Sequence, residues 1–328
     1  MKTIDDTINF DQYFAEQEVD SAKVKPASAW ADAVVDNFYG ETSQSSWSPT
    51  GFEKMGGKFD LRPGELTLWA GVNGHGKTTL LSNIMLNVMR GGQRVCLASL
   101  EMPPHKTMAK MTQQAAGVAL PAPRYIRGFH DWTNEKLWVY DHVGKLAASR
   151  ALAVATYVRK ELQIEHLVID SLMKCGLGTD DYTAQKDFVD GLCSVARDTG
   201  LHIHLVCHMR KGENESKPSE KFDVKGASEI VDLADNLMIV WKNLPKLNEL
   251  SQLEAPRHSP TEEAARLQRI EELRKKPDSF VRLAKQRHFS WEGSWAFWFD
   301  RNSQQYLENE RESPVYKGLT LNLHEVQP

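Results

Sequence analysis

Gly71-Val72-Asn73-Gly74-His75-Gly76-Lys77-Thr78 is the stretch that decides how this chain folds. It satisfies the pattern Gly-x4-Gly-Lys-[Ser/Thr]. A short apolar run, Leu66 to Ala70, precedes it, and a helical pattern from Thr78 to Arg90 follows, closed by Gly91-Gly92. A strand, a glycine-rich turn and a helix in that order let backbone N–H groups approach and cradle phosphates, with the helix's positive end behind them. Lys77 is expected to reach the β- and γ-phosphates, and Thr78 to hold Mg²⁺ through its hydroxyl. Gly71, Asn73, Gly74, His75, Gly76 and Thr79 complete the expected nucleotide-binding loop. ATP and Mg²⁺ are the ligands this implies. What the energy is used for does not follow from the loop.

Working outward, strand and helix patterns alternate. Strands are expected at 94–100, 137–140, 167–170, 202–207 and 237–241, with helices at about 103–116 and 147–162. Such alternation predicts an α/β fold, a mostly parallel twisted sheet with helices on both faces. Ligands of such sheets bind at the carboxyl ends of the strands, and each motif is expected at such an end. Two further strands, Phe280 to His288 and Ser294 to Phe299, flank Glu292-Gly293 and predict a C-terminal β-hairpin.

The main domain is expected over 51–308. Residues 1–50 read as an arm and linker, in which Trp30, Val34 and Phe38 would share one face of a short helix. Residues 243–278 break the alternation. They are rich in charges at i,i+4 spacing, such as Glu262 with Arg266, and predict a solvent-exposed insertion or helical hairpin. Residues 309–328 read as a loose tail.

Composition bounds the class. The 328 residues are 41% hydrophobic and 26% charged, as for a globular, soluble chain with ample core. The net charge of -4 does not advertise a nucleic-acid binder, although a ring or groove needs only a local basic lining. The four cysteines lack paired Cys-x-x-Cys spacing and read as buried, reduced thiols of a cytosolic protein. No apolar run approaches the ~18 residues of a membrane span, and the acidic N-terminus does not resemble a signal peptide.

Three further groups of residues bear on chemistry. Asp170 ends the apolar run His166 to Asp170 and fits a Walker B acid, a second carboxylate on the metal side of the phosphates. Glu101, in Ser99-Leu100-Glu101-Met102, is placed to accept a proton from attacking water. His202, His204 and His208 share one strand face. At roughly 6.6–6.8 Å per two residues the outer pair is too far apart to share an ion. His208, at the strand end, is the better candidate for a γ-phosphate contact, and the other two read as core or groove residues. Lys285 and Arg287, two apart, point the same way on a strand and could clamp a phosphate or form a solvated face.

Taken in order, Thr50-Gly51-Phe52, the phosphate loop, Ser99 to Met102, Val168 to Asp170, His204 to His208, Asp223 to Gly226 with Ala234-Asp235, and Lys285-Gln286-Arg287 resemble the motor domain of DnaB-type replicative helicases. The likeness is to the phage primase-helicase and Twinkle branch, where a His takes the sensor position, and it spans roughly 48–308. It implies a RecA-like P-loop fold with Lys77, Thr78, Glu101, Asp170 and His208 in catalytic roles. It implies Lys285 and Arg287 acting on the ATP of the next subunit in a hexameric ring. It also implies a DNA-facing loop over 210–228, with Arg210, Lys211, Lys225 and Gly226 touching single-stranded DNA. The expected activity is ATP-dependent translocation and unwinding in phage or prophage DNA replication, in the bacterial host cytosol. The short arm leaves any primase or polymerase partner to be supplied in trans. A recombination ATPase of the RecA or RadA kind, and a non-unwinding ATP-dependent assembly protein, share the nucleotide motifs and stay as alternatives.

Overall fold

Side chains along the central strands divide between two layers, and that division builds the fold. The structure, a computed structural model, describes residues 2–4, 13, 26–32, 34–35, 47–178, 181–209, 228–256 and 259–316. In strand β2 (Leu66–Gly71), Leu66, Leu68 and Ala70 face one cluster while Trp69 faces the other. Strand β3 (Val95–Ser99) does the same, with Cys96 and Ala98 opposed to Val95 and Leu97. A strand buried on both faces reads as a continuous apolar run, which is why these segments lack polar alternation.

The remaining strands are β1 (Lys2–Ile4), β4 (Leu137–Tyr140), β5 (His166–Asp170), β6 (His202–His208), β7 (Asn236–Lys242), β8 (Ser279–Gln286), β9 (Gly293–Asp300) and β10 (Gln305–Leu307). Among the described residues they form one sheet in the order β1-β4-β3-β5-β6-β2-β7-β8-β9-β10. Strands β1 to β7 pair in parallel, and β8 to β10 add in antiparallel fashion. The α/β class, the mostly parallel sheet and the C-terminal β8–β9 hairpin are as expected from sequence. Strands β1 and β10 were not foreseen. Both are three residues long, too short to carry a periodic signal.

Helices α1 (Lys77–Arg90), α2 (Pro104–Ala116) and α3 (Pro123–Trp132) cover one face, through Leu80, Ile84, Met111 and Phe129. Helices α4 (Ala148–Lys160), α5 (Tyr182–Thr199) and α6 (Ser228–Leu233) cover the other, through Val154, Val158, Phe188 and Leu192. Asp181 caps α5 by accepting from the Ala184 amide at 3.0 Å. The 243–278 segment is a helical hairpin of α7 (Leu244–Gln252) and α8 (Pro260–Lys275), joined by Arg269 to Glu249 at 2.6 Å.

Other sequence expectations meet the structure differently. Residues 310–316, expected to hang free, dock: Gln305 Nε2 donates to the Val315 carbonyl at 2.7 Å, and the Val315 amide donates back to Gln305 Oε1 at 3.0 Å. In the arm, Val34 is half exposed, and Phe38 lies outside the described residues. All four cysteines are free and buried, and burial pushes each thiol's pKa up.

Histidines 202 and 204 are core residues. Trp69 Nε1 donates to His204 Nδ1 at 3.2 Å, so the neutral His204 carries its proton on Nε2 and donates to His166 Nδ1 at 3.1 Å. His166 in turn donates from Nε2 to Ser48 Oγ at 2.8 Å or Gln93 Oε1 at 2.9 Å. His202 Nδ1 donates to the Arg62 carbonyl at 2.6 Å, so its Nε2 accepts from Thr67 Oγ1 at 3.0 Å. Every ring nitrogen of the trio is satisfied in the uncharged state, and burial holds all three pKa values down. Among the described residues no group of three or more His, Cys, Asp or Glu could hold a metal ion.

Candidate active site

The phosphate loop leaves the carboxyl end of β2 and enters α1 at Lys77. Two of its glycines answer to specific steric demands. A Cβ on Gly71 would lie 2.5 Å from the Val240 carbonyl oxygen of the adjacent strand. Gly76 has φ 90° at the helix N-cap, and a Cβ there would meet Tyr306 Oη at 2.2 Å. With no side chain at that cap, the first amides of α1 stay open to a ligand anion. Lys77 is buried, with Nζ donating to the Gly71 carbonyl at 2.8 Å and the Val72 carbonyl at 3.2 Å. Burial lowers its pKa, and the negative charge of Asp170 is the chief opposing influence. His75 is buried and accepts from the Lys242 amide at 3.5 Å, while Asn73 and Gly74 are exposed and Thr79 is half-buried beside the loop.

The other acids gather at the same edge because their strands are neighbours. In the sheet, β3, β5, β6 and β2 are consecutive, so the ends carrying Glu101, Asp170, His208 and the phosphate loop lie side by side. Thr78 Oγ1 donates to Asp170 Oδ2 at 2.6 Å. Burial raises the Asp170 pKa; the Thr78 hydrogen bond opposes this and the nearby Glu101 charge adds to it. Two hard oxygens placed together, one on a carboxylate that burial alone makes reluctant to ionise, suit a divalent cation such as Mg²⁺.

Glu101 sits in the turn after β3. Ser171 Oγ donates to its Oε1 at 2.8 Å, and His208 Nε2 lies 3.3 Å from the same oxygen. Burial pushes the Glu101 pKa up, but the hydrogen bonds from Ser171 and His208 outweigh it and the carboxylate lies below its usual range. His208 is shifted down by burial and by Lys77, with Glu101 opposing. Ser171 was missed from sequence, although its position directly after the strand-end acid was the available signal.

Lys285 and Arg287 fall elsewhere. Strand β8 runs antiparallel to β7, with Gln286 opposite Asn236 and Ser279 opposite Lys242. Its end therefore lies at the amino edge of the parallel strands, not at the carboxyl edge expected for every motif. The seven-residue β7 separates that end from the phosphate loop by about 20 Å. There Lys285 Nζ donates to the Val231, Asp232 and Ala234 carbonyls at 2.7–2.8 Å. Arg287 Nη2 donates to the Asp232 and Leu233 carbonyls at 2.7 and 3.0 Å. Both cations hold the C-terminal carbonyls of α6, and the Arg287 side chain stays 48% exposed. Arg210, Lys211, Lys225 and Gly226 lie outside the described residues.

Residues 45–214, more than half of the 328, match the family described as an AAA domain. The chain belongs to that family. As an AAA-domain ATPase it also shares its fold with two solved structures. The ATPase domain of G40P superposes with a TM-score of 0.68 at 15% identity, over 87% of this chain and 99% of that one. A structure titled as a DnaB-like replicative helicase and its interactions with primase gives 0.66 at 13% identity, over 88% of this chain and 69% of that one. The RecA-like fold of DnaB-type motor domains is thereby that of this chain. Among the described residues no helix is long and apolar enough to cross a membrane.

Proposed function

We propose that this ATPase is the motor of a ring-shaped DNA helicase that moves along single-stranded DNA, with Mg²⁺-ATP as fuel and phage or prophage replication as its setting. One observation carries the reading. The phosphate loop, Asp170 and Glu101, the candidates for half of a phosphoryl-transfer site, share the carboxyl edge, while the exposed Arg287 lies a strand length away at the opposite edge. Arg287 lies too far from its own phosphate loop to reach that nucleotide, and in this reading a second copy of the chain supplies it.

In this reading Lys77 turns from its two carbonyls to the β- and γ-phosphates. Thr78 and Asp170 hold Mg²⁺, which when bound neutralises charge on the phosphate oxygens. Glu101, ionised because Ser171 and His208 donate to it, takes the proton of the attacking water as the water oxygen bonds to the γ-phosphorus and ADP leaves. His208 senses whether the γ-phosphate is present. Arg287 and Lys285 of the neighbouring copy stabilise the charge that develops during transfer. Segment 210–228 would face the DNA, with Arg210, Lys211, Lys225 and Gly226 as backbone contacts, and six copies would sum their phosphate contacts into salt-dependent binding. A primase or polymerase would be recruited in trans, in the host cytosol.

A forked duplex with a free single-stranded tail tests this. The expected result is strand separation that needs ATP, Mg²⁺ and the tail. ATP hydrolysis that ignores single-stranded DNA, with no strand separation, refutes it; pairing of homologous strands would instead place the chain with recombination ATPases.

A further inference from the structure

The charged segment 243–278 reads from sequence as a solvent-exposed insertion or helical hairpin. We infer that it is the nucleoside-side wall of the ATP site, with Leu247 packing against the base. This rests on the nucleotide-binding reading above and extends it to the half of the ligand that the phosphate loop does not hold.

Topology puts the hairpin there. Strands β2 and β7 are parallel neighbours, Ala70 opposite Ile239. Whatever follows them leaves the same edge of the sheet side by side. The phosphate loop follows β2 and the hairpin follows β7. The Lys242 amide, at the hairpin's root, donates to His75 Nδ1 within the loop at 3.5 Å.

The root is rigid. Lys246 is buried, with Nζ 2.7 Å from Asp278 Oδ1 and 2.5 Å from the Lys276 carbonyl. Asn243 Nδ2 donates to the Pro277 carbonyl at 2.9 Å, so both ends of the hairpin are tied together. The other Asp278 oxygen accepts from the Phe299 amide at 3.0 Å, which ties the hairpin to β9. Lysine and aspartate are in this way spent on each other, and they position the wall without offering charge to a ligand.

Between hairpin and sheet lies a cavity of about 320 Å³, lined by Gly74 and Thr79 of the phosphate region, by Tyr306 beside them, and by Leu247 and Phe299. Its volume falls at the lower end of small-molecule sites. Leu247 and Phe299 give it apolar and aromatic surface, suited to the face of a flat base, beside the polar side chains of Asp278, Arg301 and Gln304. Leu247 is the hairpin's apolar contribution to it and is only partly buried in this structure. It therefore retains surface for a ligand to cover.

The test compares two probes, Mg²⁺-ATP and inorganic tripolyphosphate, by equilibrium titration of the full chain. Leu247→Asp should weaken ATP binding at least tenfold and move tripolyphosphate binding less than twofold. Leu247→Met should bind both as the unmodified chain does. Leu247→Ala, a milder truncation, should show the same ordering with a smaller shift, and thermal melting should be unchanged in all three. Equal weakening of both probes, or no weakening of either, overturns the hairpin's role while leaving the phosphate loop intact. If the unmodified chain binds neither probe, the nucleotide reading itself falls with it.

Discussion

Replacing His202 with Asn should change how this protein's stability depends on pH, by an amount that follows from the buried ring. His202 is 1% exposed, and burial holds its pKa at about 4 against 6.5 unperturbed; the Arg62 carbonyl bond opposes this and the Arg62 charge adds to it. A histidine with a depressed folded pKa contributes stability that is complete above 6.5 and is lost as pH falls towards 4, because the unfolded chain binds the proton first. With those two values the loss is about 2 kcal/mol by pH 5 and about 3 kcal/mol by pH 4. His202→Asn removes the titrating group, and its amide can still donate to the Arg62 carbonyl where Nδ1 now does. At pH 7.5 the variant should be the less stable by about 1–3 kcal/mol, having left Thr67 Oγ1 without its acceptor. That deficit should shrink by about 2 kcal/mol between pH 7.5 and 5. Urea unfolding followed by tryptophan fluorescence at several pH values measures it. Parallel stability curves for the two proteins would refute the uncharged, tautomer-locked arrangement of His166, His202 and His204.

Three further outcomes concern the site. Glu101→Gln should keep ATP binding and lower turnover by about 10²–10⁴-fold, since it removes a general base without removing a phosphate contact; turnover within threefold of normal in steady-state assays would assign the base elsewhere. Ser171→Ala removes a donor that lowers the Glu101 pKa, so the acidic limb of the kcat–pH profile should move to higher pH while KM for ATP holds; an unmoved limb would reduce Ser171 to packing. Arg287→Ala should cut hydrolysis by about 10³-fold or more, and mixing it with Lys77→Ala subunits should restore part of the activity. Mixed assemblies that form yet stay inactive would show that Arg287 does not act across an interface.

Much of the site was legible in the chain because its chemistry is local. The phosphate loop needs eight consecutive residues, a strand before them and a helix after, and each part is written within about 25 positions. Asp170 and Glu101 were legible for the same reason: each ends an apolar run, and strand ends are where such sheets bind ligands. His208 stood out from His202 and His204 only by its place at the end of the strand. The short strands β1 and β10 were not legible, because three residues do not make a period.

What the sequence by itself determined is the class of fold and the candidate residues for phosphate handling, since backbone geometry and strand ends are set by neighbours in the chain. Only the tertiary structure decided which of those residues share an edge. It placed Glu101, Asp170, His208 and the loop on four consecutive strands. It sent Lys285 and Arg287 to the far edge, because β8 pairs antiparallel with β7. It turned an insertion into a wall of the cavity, because β7 adjoins β2. Strand order and direction arise from long-range hydrogen bonding and the burial of both sheet faces, and no stretch of the chain encodes either alone.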